Sequence, residues 1–258
     1  MLLNIPGKIT YITNIISTYR YWWQILISRI SKKPLTRVTL HNGLTIEGRS
    51  QSVITDLIYE IFIEETYNPA LFKIKPGNTV MDIGANVGVY SMYAAHAGAG
   101  QIYAIEPSEI NTHYITENFS HNRLSAPVIL QEAVSDHEGT AKLYAGPLDS
   151  HNLLFNHNHV EKFEKYTQVK TTTLEKIFDQ YQIERVDFLK LDCEGSEGAI
   201  FATTPPAVWE KVKKIALEYH NPMSILNDRQ LLHILRSLGF KTKQVRSDNW
   251  YGYIYAWK

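Results

Sequence analysis

The stretch Val80-Met81-Asp82-Ile83-Gly84-Ala85-Asn86-Val87-Gly88-Val89-Tyr90-Ser91 decides the fold. Its apolar run ends in a short glycine turn and passes into a segment of helical character. That pattern predicts a strand, a tight turn and a helix N-terminus, whose backbone N–H groups face a ligand at the carboxyl edge of a sheet. Small residues in the turn let the ligand approach the backbone. A second strand ends at Tyr103-Ala104-Ile105-Glu106-Pro107-Ser108, and Glu106 falls about 20 positions beyond the turn, where a carboxylate takes the hydroxyls of a ribose. A nucleoside-containing cofactor is expected. A nicotinamide dinucleotide wants Gly-x-Gly-x-x-Gly under its pyrophosphate; counted from Gly84, the second and third glycine positions hold Asn86 and Val89. A cofactor with a charged amino-acid end and no pyrophosphate suits this turn better, with Asp82 available to an ammonium group.

Working outward, strands and helices alternate. Strands are expected at 79–83, 101–105, 127–133, 187–191 and 214–219, with helices at 88–96, 109–122, 174–181, 196–201 and 229–238. Such βαβ alternation predicts an α/β fold with a doubly wound, mostly parallel sheet. Residues 140–173 interrupt it as an insertion whose middle, 150–159, is rich in His and Asn. The last two strands, 240–245 and 250–257, are joined too briefly for a parallel crossover and should pair antiparallel. Upstream, Val38 and Leu40, then Asn42-Gly43, then Leu44 and Ile46 read as a hairpin with a type I′ turn, and a helix follows over 53–66. Pro69 and Lys75-Pro76-Gly77 punctuate the chain before the main domain. Three units result: an amphipathic helix in 1–34, a hairpin and helix in 35–76, and a cofactor-binding domain in 77–258.

The 258 residues carry 26 Lys and Arg against 26 Asp and Glu, so no global basic field attracts nucleic acid. One cysteine, Cys193, excludes an intramolecular disulfide and makes the cytoplasm the expected compartment. No secretory leader is expected. Between Ile9 and Ile30 apolar residues recur at helical spacing (Ile12, Ile15, Ile16, Tyr19, Trp22, Trp23, Leu26 and Ile30) beside Arg20, Arg29, Lys32, Lys33 and Arg37. This amphipathic helix suits packing on the main domain, a homodimer contact, or peripheral association with a membrane.

The run Asp187-Phe188-Leu189-Lys190-Leu191-Asp192-Cys193-Glu194-Gly195-Ser196-Glu197, with Asp82-Ile-Gly-Ala-Asn-Val-Gly upstream, resembles the FkbM family of class I S-adenosylmethionine-dependent methyltransferases. The likeness covers roughly Tyr67 to Tyr219. It implies a Rossmann-like seven-stranded sheet with an antiparallel last strand, and O-methylation of a hydroxyl on a sugar, glycan or other natural product. By position it implies cofactor contacts from Asp82, Gly84, Asn86, Gly88, Ser91, Glu106 and Asp192, with Ala133 near the adenine and Tyr67 closing the methionine end. Cys193 stands where the family commonly has an apolar residue, and is read as a small hydrophobe.

Methyl transfer to a hydroxyl needs alignment of the acceptor oxygen and a receiver for its proton. Asp192, closing a strand at the ligand edge, is the first catalytic candidate. Glu218 and His220 close the next strand, and an imidazole is a good base near neutral pH. Asp192, Glu194 and Glu197 raise the question of a divalent cation, yet acidic side chains also favour a helix N-terminus, so no metal ligand is assigned. His151, His157 and His159 lack zinc-site spacing; they suit a polar loop over the acceptor, with His151 a secondary candidate. A nicotinamide oxidoreductase and a noncatalytic adaptor remain as alternatives.

Overall fold

The computed structural model describes residues 5–31, 33–145, 152–153, 165–221, 223–248 and 250–258. It opens with two helices, α1 (Ile5–Thr18) and α2 (Trp22–Ser31), rather than one through Ile30. The break has a long-range cause. Tyr19 forms a β-bridge with Leu40, and the Arg20 N–H donates to the Thr39 carbonyl at 2.9 Å instead of continuing the helix. Leu40 belongs to the expected hairpin, β1 (Arg37–Thr39) and β2 (Thr45–Glu47), in which Val38 faces Ile46. Its turn is not the type I′ expected from Asn-Gly: Gly43 has φ 93° but Asn42 stays out of the left-handed region. The Gly43 N–H donates to the Leu40 carbonyl, and the Leu40 N–H closes the loop onto Leu44. This is a longer turn with glycine in its left-handed position.

Helix α3 (Gln51–Ile58) is capped by the Ser50 hydroxyl, which accepts from the Val53 N–H. It runs into a π-helical turn, Tyr59–Ile63, where the Glu64 N–H reaches back five residues to Tyr59. A 3₁₀ turn (Ala70–Phe72) then leads to β3 (Thr79–Ile83), α4 (Val89–His96), β4 (Gln101–Ile105), α5 (Glu109–His121), β5 (Val128–Leu130) and β6 (Ala133–Val134). The insertion supplies β7 (Gly139–Ala145), β8 (Asn152–Leu153) and β9 (Tyr166–Thr172). Next come α6 (Leu174–Gln180), β10 (Phe188–Leu191), α7 (Glu197–Thr203), α8 (Pro206–Glu210), β11 (Lys214–His220), α9 (Asp228–Ser237), β12 (Lys241–Arg246) and β13 (Tyr251–Trp257).

Among the described residues the main sheet has seven strands in the order β12-β13-β11-β10-β3-β4-β5. Strands β5, β4, β3, β10 and β11 are parallel, and β13 pairs antiparallel with both β11 and β12. The strand expected over 127–133 divides: β5 stays in this sheet, while β6 joins a smaller one ordered β6-β9-β7-β8. Alternation along each strand feeds two cores. Val80, Ile102 and Phe188 face one apolar cluster, which also takes Tyr90 and Phe119 from α4 and α5, and Ile15, Ile25 and Ile46 from the N-terminal elements. Met81, Ile105 and Leu189 face the other, with Phe178, Ile200 and Leu231 from α6, α7 and α9. The N-terminal elements thus share their core with the main sheet. The carboxyl ends of β3 and β10, adjacent at the point where the chain order reverses, form the crevice that open α/β sheets offer to ligands.

Candidate active site

The turn after β3 is fixed by backbone geometry. Gly84 has φ 78°, and a Cβ added there would lie 1.7 Å from the Asp192 carbonyl oxygen, so no other residue fits. The N–H groups of Gly84 and Ala85 both donate to the Ile105 carbonyl at 3.0 Å, joining the turn to β4. Glu106, buried at the end of β4, is held by three donors. Its Oε2 accepts from the Asn86 N–H, and its Oε1 from the Ser108 N–H and the Asn111 side chain, all at 3.0 Å. Burial raises its pKa despite those donors. A carboxylate has about four lone-pair sites, so one remains for a ligand and the side chain cannot swing away.

Around this turn lies a cavity of about 350 Å³. Among the described residues its wall carries eight carboxyl groups, those of Asp56, Glu60, Glu64, Glu106, Glu132, Asp192, Glu194 and Glu218, against one ammonium, Lys190. Lys190 lies inside β10 and is buried. Its Nζ donates to the Gly84 carbonyl at 3.0 Å and sits 3.3 Å from Asp82 and 3.5 Å from Asp192. Burial opposes its charge, but Asp82, Asp192 and Glu60 outweigh that and raise its pKa, so it stays cationic. Conversely, burial would raise Asp192, and Lys190 and His220 outweigh that, so its carboxyl lies below the ordinary value.

Tyr67, fully buried, brings its hydroxyl within 2.9 Å of Asp192 Oδ2 and 2.8 Å of Glu218 Oε2. A phenol has one hydrogen and cannot donate to both. Burial and then Asp192 push the Glu218 carboxyl well above its usual range, so it holds a proton. The consistent arrangement has the Glu218 O–H donating to the Tyr67 oxygen and the Tyr67 O–H donating to ionised Asp192. His220 lies between Glu197 (3.1 Å), Glu194 (3.4 Å) and Glu218 (3.6 Å). Burial lowers its pKa, yet the adjacent Glu197 carboxyl above all outweighs burial and raises it well above the usual imidazole value. That favours its charged form and weighs against the neutral-pH base expected from sequence. Asp192, Glu218 and His220 bring one ligand atom each within 4.8 Å of one another, with the Tyr67 hydroxyl bridging the two carboxyl groups.

Of the residues singled out in the sequence, Tyr67, Gly84, Asn86, Glu106, Ala133, Asp192 and Glu218 line the cavity. Asp82 and Ser91 lie beneath it: Asp82 is fully buried, accepts from the Ser91 hydroxyl at 2.7 Å and faces Lys190 rather than a ligand. Gly88 (φ 84°) caps α4 against Ile115. Cys193 reaches the cavity wall, where burial raises its pKa and keeps it a thiol. His151, His157 and His159 lie outside the described residues. Several wall residues escaped the sequence reading, Lys190 and Glu60 among them. Lys190 sits between apolar neighbours in a buried strand, where a lone charge is itself the signal. Glu60 sits on the π-helical turn, a feature without a sequence signature, and accepts from the Tyr253 hydroxyl at 3.2 Å.

Burial, then the Asp192 charge, push the Glu60 carboxyl up to about 7. The fold therefore favours its protonated form. Stability from this group is full below the unfolded carboxyl value and is lost as pH rises to about 7. Glu60→Gln is expected to stabilise the ligand-free protein at pH 8 by about 1–2 kcal/mol and to leave it nearly unchanged at pH 4. Denaturant unfolding at the two pH values checks this; an equal effect at both refutes the assignment.

A doubly wound seven-stranded sheet with an antiparallel member, and a nucleoside-sized crevice carrying Glu106, define the class I methyltransferase fold. The sequence profile of the methyltransferase FkbM domain matches residues 82–242. The chain belongs to the FkbM family of S-adenosylmethionine-dependent methyltransferases. It is 24% identical over 230 residues to the 31-O-demethyl-FK506 methyltransferase FkbM of Streptomyces tacrolimicus, covering 78% of this chain and 87% of that one. It is 25% identical over 218 residues to the methyltransferase sdnD of Sordaria araneosa, covering 73% and 83%. A solved methyltransferase FkbM from Methylobacillus flagellatus KT superposes with TM-score 0.49 at 16% identity, over 72% of this chain and 45% of that one. S-adenosylmethionine is the cofactor, and the wall fits it: the excess of carboxyl groups suits a cationic ligand and would repel a pyrophosphate.

Proposed function

We propose that this methyltransferase transfers its methyl group to a hydroxyl oxygen of a sugar, glycan or similarly hydroxylated natural product. The observation that carries the reading is the carboxyl-lined cavity in which Asp192 is held ionised beside Tyr67. Bound S-adenosylmethionine supplies an electrophilic methyl on a sulfonium, a good leaving group. Glu106 and the Gly84–Asn86 backbone hold the nucleoside end, and the acidic wall favours the ammonium. Asp192 orients the acceptor O–H and takes up its proton as the oxygen is alkylated. Tyr67 fixes the Asp192 carboxylate, and protonated Glu218 fixes Tyr67, so the base is aligned before the acceptor arrives.

The acceptor side is aromatic. Tyr251 and Tyr253 line the cavity, and Trp250, 63% exposed, stands beside them where β13 begins. Flat rings of this kind stack on the C–H face of a sugar or cyclohexane ring, while Glu60 and Glu64 offer acceptors to its hydroxyls. The Streptomyces relative is, by its name, a methyltransferase of 31-O-demethyl-FK506, which supports an oxygen acceptor.

Calorimetric titration with S-adenosylhomocysteine, with NAD(H) as comparator, tests the cofactor half. Micromolar nucleoside binding that weakens about 10- to 100-fold in Glu106→Ala is the expected result; tight NAD(H) binding alone would refute it. Transfer of labelled methyl to saccharides and polyketides, with amine-bearing analogues alongside, tests the acceptor half. Turnover confined to amines would overturn the oxygen acceptor.

A further inference from the structure

Ile12 and Ile16 of α1 and Trp23, Ile27 and Ile30 of α2 are exposed, Ile30 to 84%. Helical spacing puts Trp23, Ile27 and Ile30 on one face of α2, while Ile25 and Ser28 on another face are buried. Ile15, Tyr19 and Ile25 already anchor the two helices in the core. The fold therefore does not need the outer apolar row, and an exposed row of this size marks a contact surface. At the junction of the helices Tyr21, Trp22 and Trp23 form edge-to-face pairs 5.3 and 6.2 Å apart. Such rings favour the level of lipid headgroups.

The charge on this segment is one-sided. Lys8, Arg20, Arg29, Lys32, Lys33 and Arg37 precede Glu47, the first acidic residue of the chain, and the remainder carries 20 basic residues against 26 acidic. A chain with no net charge is thus divided, with its positive excess confined to the segment that bears the apolar row. We propose that α1 and α2 dock on an anionic bilayer surface, with Trp23, Ile27 and Ile30 at the acyl boundary and the exposed Arg20 and Lys33 among the lipid phosphates. No helix among the described residues is long and apolar enough to cross a membrane, so the contact is interfacial. A second copy of this chain is a poorer occupant, because a two-fold contact would set the same positive excess against itself.

The test is co-sedimentation of the full chain with phosphatidylglycerol–phosphatidylcholine vesicles and with pure phosphatidylcholine vesicles, read with tryptophan emission. Binding to the anionic vesicles about tenfold tighter or more, a blue shift of emission and release by high salt are the expected results. Trp23→Gln combined with Ile27→Gln, and separately Lys32→Glu combined with Lys33→Glu, should each weaken binding about tenfold. The first pair should leave the melting temperature unchanged, since both side chains are exposed. Failure to bind anionic vesicles overturns the proposal, as does binding that both variants retain. A dimer seen by light scattering and abolished by Trp23→Gln with Ile27→Gln, without vesicle binding, assigns the row to a second copy instead.

Discussion

Asp192→Asn is expected to lower kcat by about 10²–10⁴-fold, the range of a lost general base, while S-adenosylhomocysteine affinity changes far less. The amide keeps the size of the carboxyl group and still accepts a hydrogen bond from Tyr67, so the wall keeps its shape. What is lost is the site that receives the acceptor proton. Because Lys190 and His220 hold the Asp192 carboxyl below its usual value, wild-type kcat should not fall through this group until well into the acid range. Steady-state kinetics on the best acceptor, with calorimetric binding of the product cofactor, separate the two effects. An unchanged kcat removes Asp192 from the chemistry, and Glu218→Gln then becomes the informative variant.

Lys190→Met is expected to cost about 3–5 kcal/mol of stability, the penalty for stripping the partner from a buried charge. Asp82 is fully buried and would keep only the Ser91 hydroxyl, while the Gly84 carbonyl would lose its donor. For a chain of this length that corresponds to a drop of roughly 10 °C in melting temperature. Adding Asp82→Asn should restore part of the loss, because the double variant no longer buries an unpaired carboxylate. Thermal unfolding of the two single variants and the double variant measures the coupling. Additive losses would show that Lys190 and Asp82 do not act as a pair.

The alternation of strands and helices was legible because each βα unit carries its own period and its own turn residues. The cavity wall was legible in part, where strand ends and glycine turns place residues by backbone geometry alone: Gly84, Asn86, Glu106 and Asp192 follow from position. Asp82 illustrates the limit. It shares the strand end with Ile83, but alternation turns its side chain inward to Lys190, and only the three-dimensional partner shows that its charge is already matched. The break between α1 and α2 was illegible for a similar reason, since a hairpin some twenty residues downstream creates it. His220 was placed correctly at the sheet edge, yet its protonation depends on Glu194 and Glu197 from the loop and helix after β10.

The widened turn at Tyr59–Ile63 has a consequence for insertions and deletions. A π-helical turn is an α-helix with one residue too many, and each residue turns an α-helix by about 100°. Upstream, Ile54 and Ile58 of the same helix are committed to the core; within the turn and just after it, Glu60 and Glu64 face the cavity. Deleting a single residue within the turn would restore regular winding and force one of these two sets out of phase with its surroundings. Either the core loses its isoleucines or the cavity loses its carboxyl groups, so this short segment should tolerate replacement of side chains far better than any change in length.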